Sequence, residues 1–140
     1  MNLYLDTSVL VPLFAEDRLA ARAETLLKLP DLSLFISDFG SAEFASAIAM
    51  KTRMRHMTNP DAQQAFSHFD GWRNILPMTL SVENADISAA ESFIRRLDLN
   101  LRAPDTIHIA IALRTGATLA TFDERMAECA RALGVEVANA

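Results

Sequence analysis

Residues 2–14 read NLYLDTSVLVPLF. The first three apolar or aromatic side chains stop abruptly at Asp6, two hydroxyl residues follow, and a second apolar run begins at Val9. The expectation is a buried first strand over Asn2–Asp6 that turns directly into a short helix over Val9–Phe14, with an acid at the junction.

The same alternation continues outward from this unit. Arg18 to Leu29 carries Leu19, Ala23, Leu26 and Leu27 at helical spacing and ends before Pro30. Leu34–Ser37 reads as a second short strand, and Asp38–Ser41 supplies cap residues for a long helix with Phe44, Ala47, Ile48, Met50 and Met54 on its apolar face. Asn59-Pro60 breaks that helix and opens another, striped by Ala65, Phe69, Trp72 and Leu76. This bulky face either packs on the protein's own core or pairs with a second chain.

Met78–Leu80 is a candidate third strand, Val82–Asp98 a helix, and Pro104 the start of a helix so apolar that it reads as central and buried. Thr115-Gly116 ends it; Ala117–Thr121 is a strand, Asp123–Leu133 a helix stopped by Gly134, and Val135–Val137 a last edge strand. Short strands alternating with helices imply a parallel sheet between helical layers, and 140 residues suit one domain over 1–140.

Four carboxylates, Asp6, Glu43, Asp105 and Asp123, fall at strand–helix junctions or in the first turn of a helix. In open parallel sheets ligands bind beyond the carboxyl ends of the strands, so one edge can collect all four. Each acid taken singly also suits a helix cap, typically worth about 0.3–2 kcal/mol. Capping, however, does not require the four to share an edge, and near Asp6 and Glu43 the chain offers apolar and hydroxyl neighbours rather than basic ones. Clustered acids repel unless a cation neutralises them. Oxygen donors without a Cys or His pair at zinc spacing select Mg²⁺ or Mn²⁺, ions suited to phosphodiester hydrolysis through activation of a water.

Thr7, Ser8 and Thr121 place hydroxyls beside the acids, either to orient carboxylates or to cap helices. His108 lies one turn after Asp105 and faces the same way, as a catalytic support or as a core histidine bonded to a carbonyl.

The net charge of −5 argues against a generic nucleic-acid binder, although Lys51, Arg53, Arg55 and His56 form one local basic patch and Arg95, Arg96 and Arg102 another. Such patches also occur as solvated helix faces. The composition, 51% hydrophobic and 22% charged, is that of a soluble globular protein. With no bilayer-length apolar run or secretory signal, the expected location is the cytoplasm, without membrane attachment. The lone Cys129 forms no internal disulfide and sits at helical spacing with Met126 and Leu133, as a buried helix residue.

Taken in order, YLDTSVL, SAEFASAIAMKTR, APDTIHIAIAL and TFDERMAECARALGVEV resemble the motifs of PIN-domain proteins, most closely the toxin ribonucleases of VapBC-type toxin–antitoxin pairs. The resemblance spans nearly the whole chain. It implies a three-layer α/β/α sandwich with a central parallel sheet of order 3-2-1-4-5, Mg²⁺- or Mn²⁺-dependent endoribonuclease activity, a homodimer, and inhibition by a small antitoxin. Carried over by position, Asp6, Glu43, Asp105 and Asp123 become the metal-binding catalytic quartet, with Thr7 and Thr121 as polar neighbours. Lys51, Arg53 and Arg55 are candidate contacts to RNA or antitoxin.

An aspartyl phosphatase or a phosphoacceptor domain also begins with a strand ending in Asp. The phosphatase expects a second acid where Ser8 stands, and both expect a late lysine, whereas Lys28 and Lys51 are the only lysines. The remaining alternatives are a catalytically silent PIN-like module that binds protein, and a housekeeping PIN nuclease without an antitoxin.

Overall fold

The computed structural model describes residues 1–138. Its centre is a four-stranded parallel sheet of order β3-β2-β1-β4, built from β1 (Asn2–Leu5), β2 (Ser33–Ser37), β3 (Thr79–Leu80) and β4 (Thr118–Ala120). The registers are Tyr4 beside Phe35 on one side of β1 and Tyr4 beside Leu119 on the other. Beyond β4, at the place expected for a fifth strand, Val137 makes a single parallel bridge to Leu119, fixed by Leu119 N–H to Glu136 O and Ala138 N–H to Leu119 O, both 2.8 Å. The strand order therefore follows the expectation, with the last strand reduced to one bridge. Gly134 turns the chain just before this bridge at φ 89°.

Alternation along β1 assigns the two faces. Leu3 and Leu5 join Ile36, Val9, Leu10, Phe44, Ile48 and Phe69 in one buried cluster, while Tyr4 joins Leu119, Ile109, Ile111, Met126 and Ala130 in another. Helices α1 (Thr7–Phe14), α2 (Ala20–Leu26), α3 (Asp38–Arg53) and α4 (Asn59–Asn74) supply the first cluster. Helices α6 (Ala103–Thr115) and α7 (Glu124–Ala132) supply most of the second, and α5 (Asn84–Arg95) packs on α6. Helices on both faces of a parallel sheet make the three-layer sandwich.

The aromatic stripe of α4 turns inward. Phe69 stacks on Phe44 with centroids 4.3 Å apart, and Phe14 meets both Phe69 and Trp72 edge-on at 5.5 and 5.3 Å. The aromatic stripe thus packs on the protein's own core. Burying aromatics at these geometries adds about 0.5–1.5 kcal/mol per pair beyond area burial.

Local signals explain the ends. Asp6 caps α1, Ser37 caps α3 through Gly40 N–H at 2.9 Å, Thr58 caps α4, Asp123 caps α7, and Gly116 closes α6 in the left-handed conformation at φ 68°. α3 already starts at Asp38, so the expected cap residues Asp38–Ser41 are its first turn and Ser37 takes the capping role. Glu43 consequently lies in the second turn of α3 and not its first. Cys129 is buried, as expected, with its thiol against Leu99 O. Among the described residues, no helix is long and apolar enough to cross a membrane.

Candidate active site

The four acids come from four elements that meet at the carboxyl-terminal edge of the sheet. Asp6 follows β1 directly and is 3% exposed; its backbone N–H bonds Ala120 O at the end of β4. Asp123 caps α7 three residues after β4. Asp105 stands in the first turn of α6, and Glu43 approaches from α3.

Hydroxyls bond Asp6, Glu43 and the Asp123 backbone, and among the described residues none bonds Asp105. Ser8 Oγ donates to Asp6 Oδ1 at 2.6 Å and accepts from Phe122 N–H at 2.8 Å, so one side chain links the start of α1 to the segment after β4. Thr121 Oγ1 accepts from Asp123 N–H at 3.1 Å and lies 3.4 Å from Ser8 Oγ. Thr7 Oγ1 donates to Glu43 Oε1 at 2.7 Å. The three hydroxyl residues singled out in the sequence all join this network.

His108 is buried, and among the described residues its ring nitrogens bond side chains and no carbonyl. Its Nε2 bonds Glu43 Oε1 and its Nδ1 meets the Tyr4 hydroxyl at 2.6 Å. Tyr4 and Ser37 were legible only as strand residues, yet Tyr4 Oη also meets Ser37 Oγ at 2.8 Å. The available signal was general: a buried tyrosine needs a partner for its hydroxyl.

The electrostatics differ from acid to acid. Burial pushes the Asp6 carboxyl above its ordinary range, against the opposing hydrogen bonds of Ser8 and Thr121. Asp105 is also raised, first by burial and then by the charge of Asp123, with Glu43 adding to it and Arg102 opposing. Burial alone would raise Glu43 as well, but the hydrogen bonds from His108 and Thr7 outweigh it and hold the carboxyl below the ordinary glutamate value. Among the described residues no Lys or Arg forms an ion pair with Asp6, Glu43, Asp105 or Asp123.

Capping accounts for part of this set. Asp6 Oδ1 accepts from Val9 N–H at 3.3 Å and Asp123 Oδ1 from Met126 N–H at 3.1 Å, which engages one oxygen of each. Asp105 and Glu43 cap nothing in the described structure. As they stand, no three His, Cys, Asp or Glu side chains among the described residues close into a coordination shell. The donor chemistry nevertheless fits a hard divalent cation: carboxylate and hydroxyl oxygens, repulsion of Asp105 by Asp123 and Glu43, and no Lys or Arg ion pair to the four acids among the described residues.

The basic patch is not part of this edge. Lys51 and Arg53 occupy the last turn of α3, and at 1.5 Å per residue they lie about 12–15 Å along the helix from Glu43. Arg55 follows the helix in a left-handed conformation at φ 59°. Its side chain and that of Arg53 are exposed.

The chain belongs to the PIN-domain family, whose model matches residues 3–132. No curated protein sequence matches it. Among solved structures it is similar to VapC20 of Mycobacterium tuberculosis, described as a sarcin-ricin loop cleaving toxin, with a TM-score of 0.74 at 17% identity and 99% of each chain covered. VapBC2 from Rickettsia felis, bound to a DNA fragment from its promoter, matches at TM-score 0.71 and 18% identity over 100% of this chain and 99% of that one. FitAcB from Neisseria gonorrhoeae matches at 0.69 and 20%, over 98% and 96%. At these identities the likeness is one of fold.

Proposed function

We propose that this chain, read as one PIN domain over residues 1–140, is a Mg²⁺- or Mn²⁺-dependent endoribonuclease and the toxin of a VapBC-type pair. The observation that carries the reading is the gathering of Asp6, Glu43, Asp105 and Asp123 at one sheet edge, with Asp105 repelled by Asp123 and Glu43 and no Lys or Arg bonded to any of the four among the described residues. Four caps would satisfy backbone N–H groups without this convergence, and only two of the acids act as caps.

In this reading the quartet holds the metal, which supplies Lewis-acid polarisation of the scissile phosphodiester and makes a water easier to deprotonate. Ser8 and Val9 N–H bond one Asp6 oxygen, and Thr7 and His108 bond one Glu43 oxygen, contacts that would set the orientation of each carboxylate toward a cation. Thr121 steadies the Asp123 backbone. Lys51, Arg53 and Arg55, away from the acids, serve to bind RNA flanking the cut or the antitoxin. A small antitoxin as partner and a homodimer as assembly belong to the same reading, supported by the shared fold with structures described as VapBC2 and FitAcB.

The decisive experiment expresses the chain with and without the neighbouring small gene and maps new RNA 5′ ends. Growth arrest with discrete cleavage sites, relieved by the neighbour, supports a toxin. Cleavage with no relief indicates a nuclease without an antitoxin. If the purified protein, freed of any partner, cuts no RNA in Mn²⁺, a silent binding module in which Asp6 and Asp123 serve only as caps is the better account.

A further inference from the structure

A line of buried polar atoms runs from the N-terminus of α3 across the sheet to Glu43. Gly40 N–H donates to Ser37 Oγ at 2.9 Å, Ser37 Oγ meets Tyr4 Oη at 2.8 Å, Tyr4 Oη meets His108 Nδ1 at 2.6 Å, and His108 Nε2 meets Glu43 Oε1. Ser37 and Tyr4 are fully buried and His108 nearly so.

Counting hydrogens gives the line a direction. The Tyr4 hydroxyl lies between Ser37 Oγ and His108 Nδ1 and carries one hydrogen to donate. If Ser37 donates to Tyr4, Tyr4 to Nδ1 and Nε2–H to the carboxylate, every hydrogen in the line is used and every group donates once. The tautomer with hydrogen on Nε2 follows from that pattern. Phe39 and Tyr4 flank the imidazole with ring centroids 5.2 and 5.7 Å away, restricting its tilt.

Both hydrogen bonds to Glu43 fall on Oε1, from Thr7 and from His108. Resting on the metal-nuclease reading above, we infer that Ser37, Tyr4 and His108 are positioning residues: they hold Glu43 by Oε1 so that Oε2 is presented to the cation site. Glu43 needs such a brace because it reaches the edge from the second turn of a helix on a flexible side chain, whereas Asp6 and Asp123 are fixed by their own caps. Outer partners of this kind commonly change metal affinity by about 10–100-fold when removed.

The test measures Mn²⁺ binding to RNA-free protein by titration calorimetry or electron paramagnetic resonance, alongside the melting temperature of the metal-free protein. Tyr4→Phe deletes one oxygen two steps from Glu43. His108→Leu removes the brace, and His108→Gln retains an amide donor able to reach Oε1. The expected result is about tenfold or more weaker Mn²⁺ binding in Tyr4→Phe and His108→Leu, with partial recovery in His108→Gln. If folded Tyr4→Phe and His108→Leu bind Mn²⁺ within twofold of wild type while Asp6→Asn does not, the metal site stands and the positioning role is overturned. If wild type binds no Mn²⁺, the parent reading fails and this inference falls with it.

Discussion

Arg114 on α6 clamps Asp86 on α5: Nε donates to Oδ1 at 2.8 Å and Nη2 to Oδ2 at 3.1 Å. The pair ties α5 to the last turn of α6, the helix whose first turns carry Asp105 and His108.

The two halves of this pair are unequal. Asp86 is 1% exposed, while the Arg114 side chain is 29% exposed and can reach water if left alone. Arg114→Leu, which strands a buried carboxylate, is expected to cost about 3–5 kcal/mol, as for other broken buried pairs. Asp86→Ala is expected to cost less, although it also loses the bond from Glu83 N–H. Urea unfolding of the two variants checks the order; equal losses would mean that Asp86 is rehydrated on mutation.

Asp6→Asn is expected to abolish metal-dependent RNA cleavage and to leave the melting temperature of the metal-free protein unchanged or raised. The amide oxygen still accepts from Ser8 and Val9, and the buried charge is gone. A pure cap would show unimpaired turnover instead.

The pH dependence has two opposing parts. Glu43 is depressed in the fold, so its contribution is present above the ordinary glutamate range and is lost as pH falls through its folded-state pKa. Asp6 and Asp105 are raised, so between the ordinary aspartate value and their folded-state pKa the native protein holds more protons than the unfolded chain, and stability falls as pH rises. In metal-free protein, Glu43→Gln is expected to reduce the acid-side loss, and Asp6→Asn to reduce the decline on the rising side. Denaturation midpoints across pH measure both.

Ser8→Ala removes the acceptor of Phe122 N–H and the donor to Asp6. An unsatisfied backbone donor costs about 1–3 kcal/mol. Thermal unfolding is expected to show that loss together with weakened cleavage, because the Asp6 carboxylate loses its anchor.

Arg53 and Arg55 replaced together by Ala are expected to weaken RNA binding and flatten its salt dependence by about one unit per lost phosphate contact, with the rate at saturating RNA unchanged. An unchanged slope, with lost antitoxin binding, would assign the patch to the partner.

Much of the architecture was legible because its signals are local. An apolar run ending at Asp6, proline at Pro60 and Pro104, and glycine at Gly116 each act within one turn of chain, so strands, helices and the junction positions of the acids follow from neighbours in sequence. The strand order came from the resemblance as a whole, whereas the four acids stood out by their junction positions and the resemblance added their role. What local chemistry cannot carry is a contact between distant side chains. Whether His108 meets a carbonyl or bridges Tyr4 and Glu43, 104 and 65 residues away, depends on how β1, α3 and α6 pack. Likewise Lys51 and Arg53 share a helix with Glu43, yet the direction of α3 away from the sheet edge separates them from the acids. Sequence alone determined which groups stand ready at each junction; only the tertiary structure decided which of them touch, because hydrogen bonds require atoms about 3 Å apart and the packed core sets those distances.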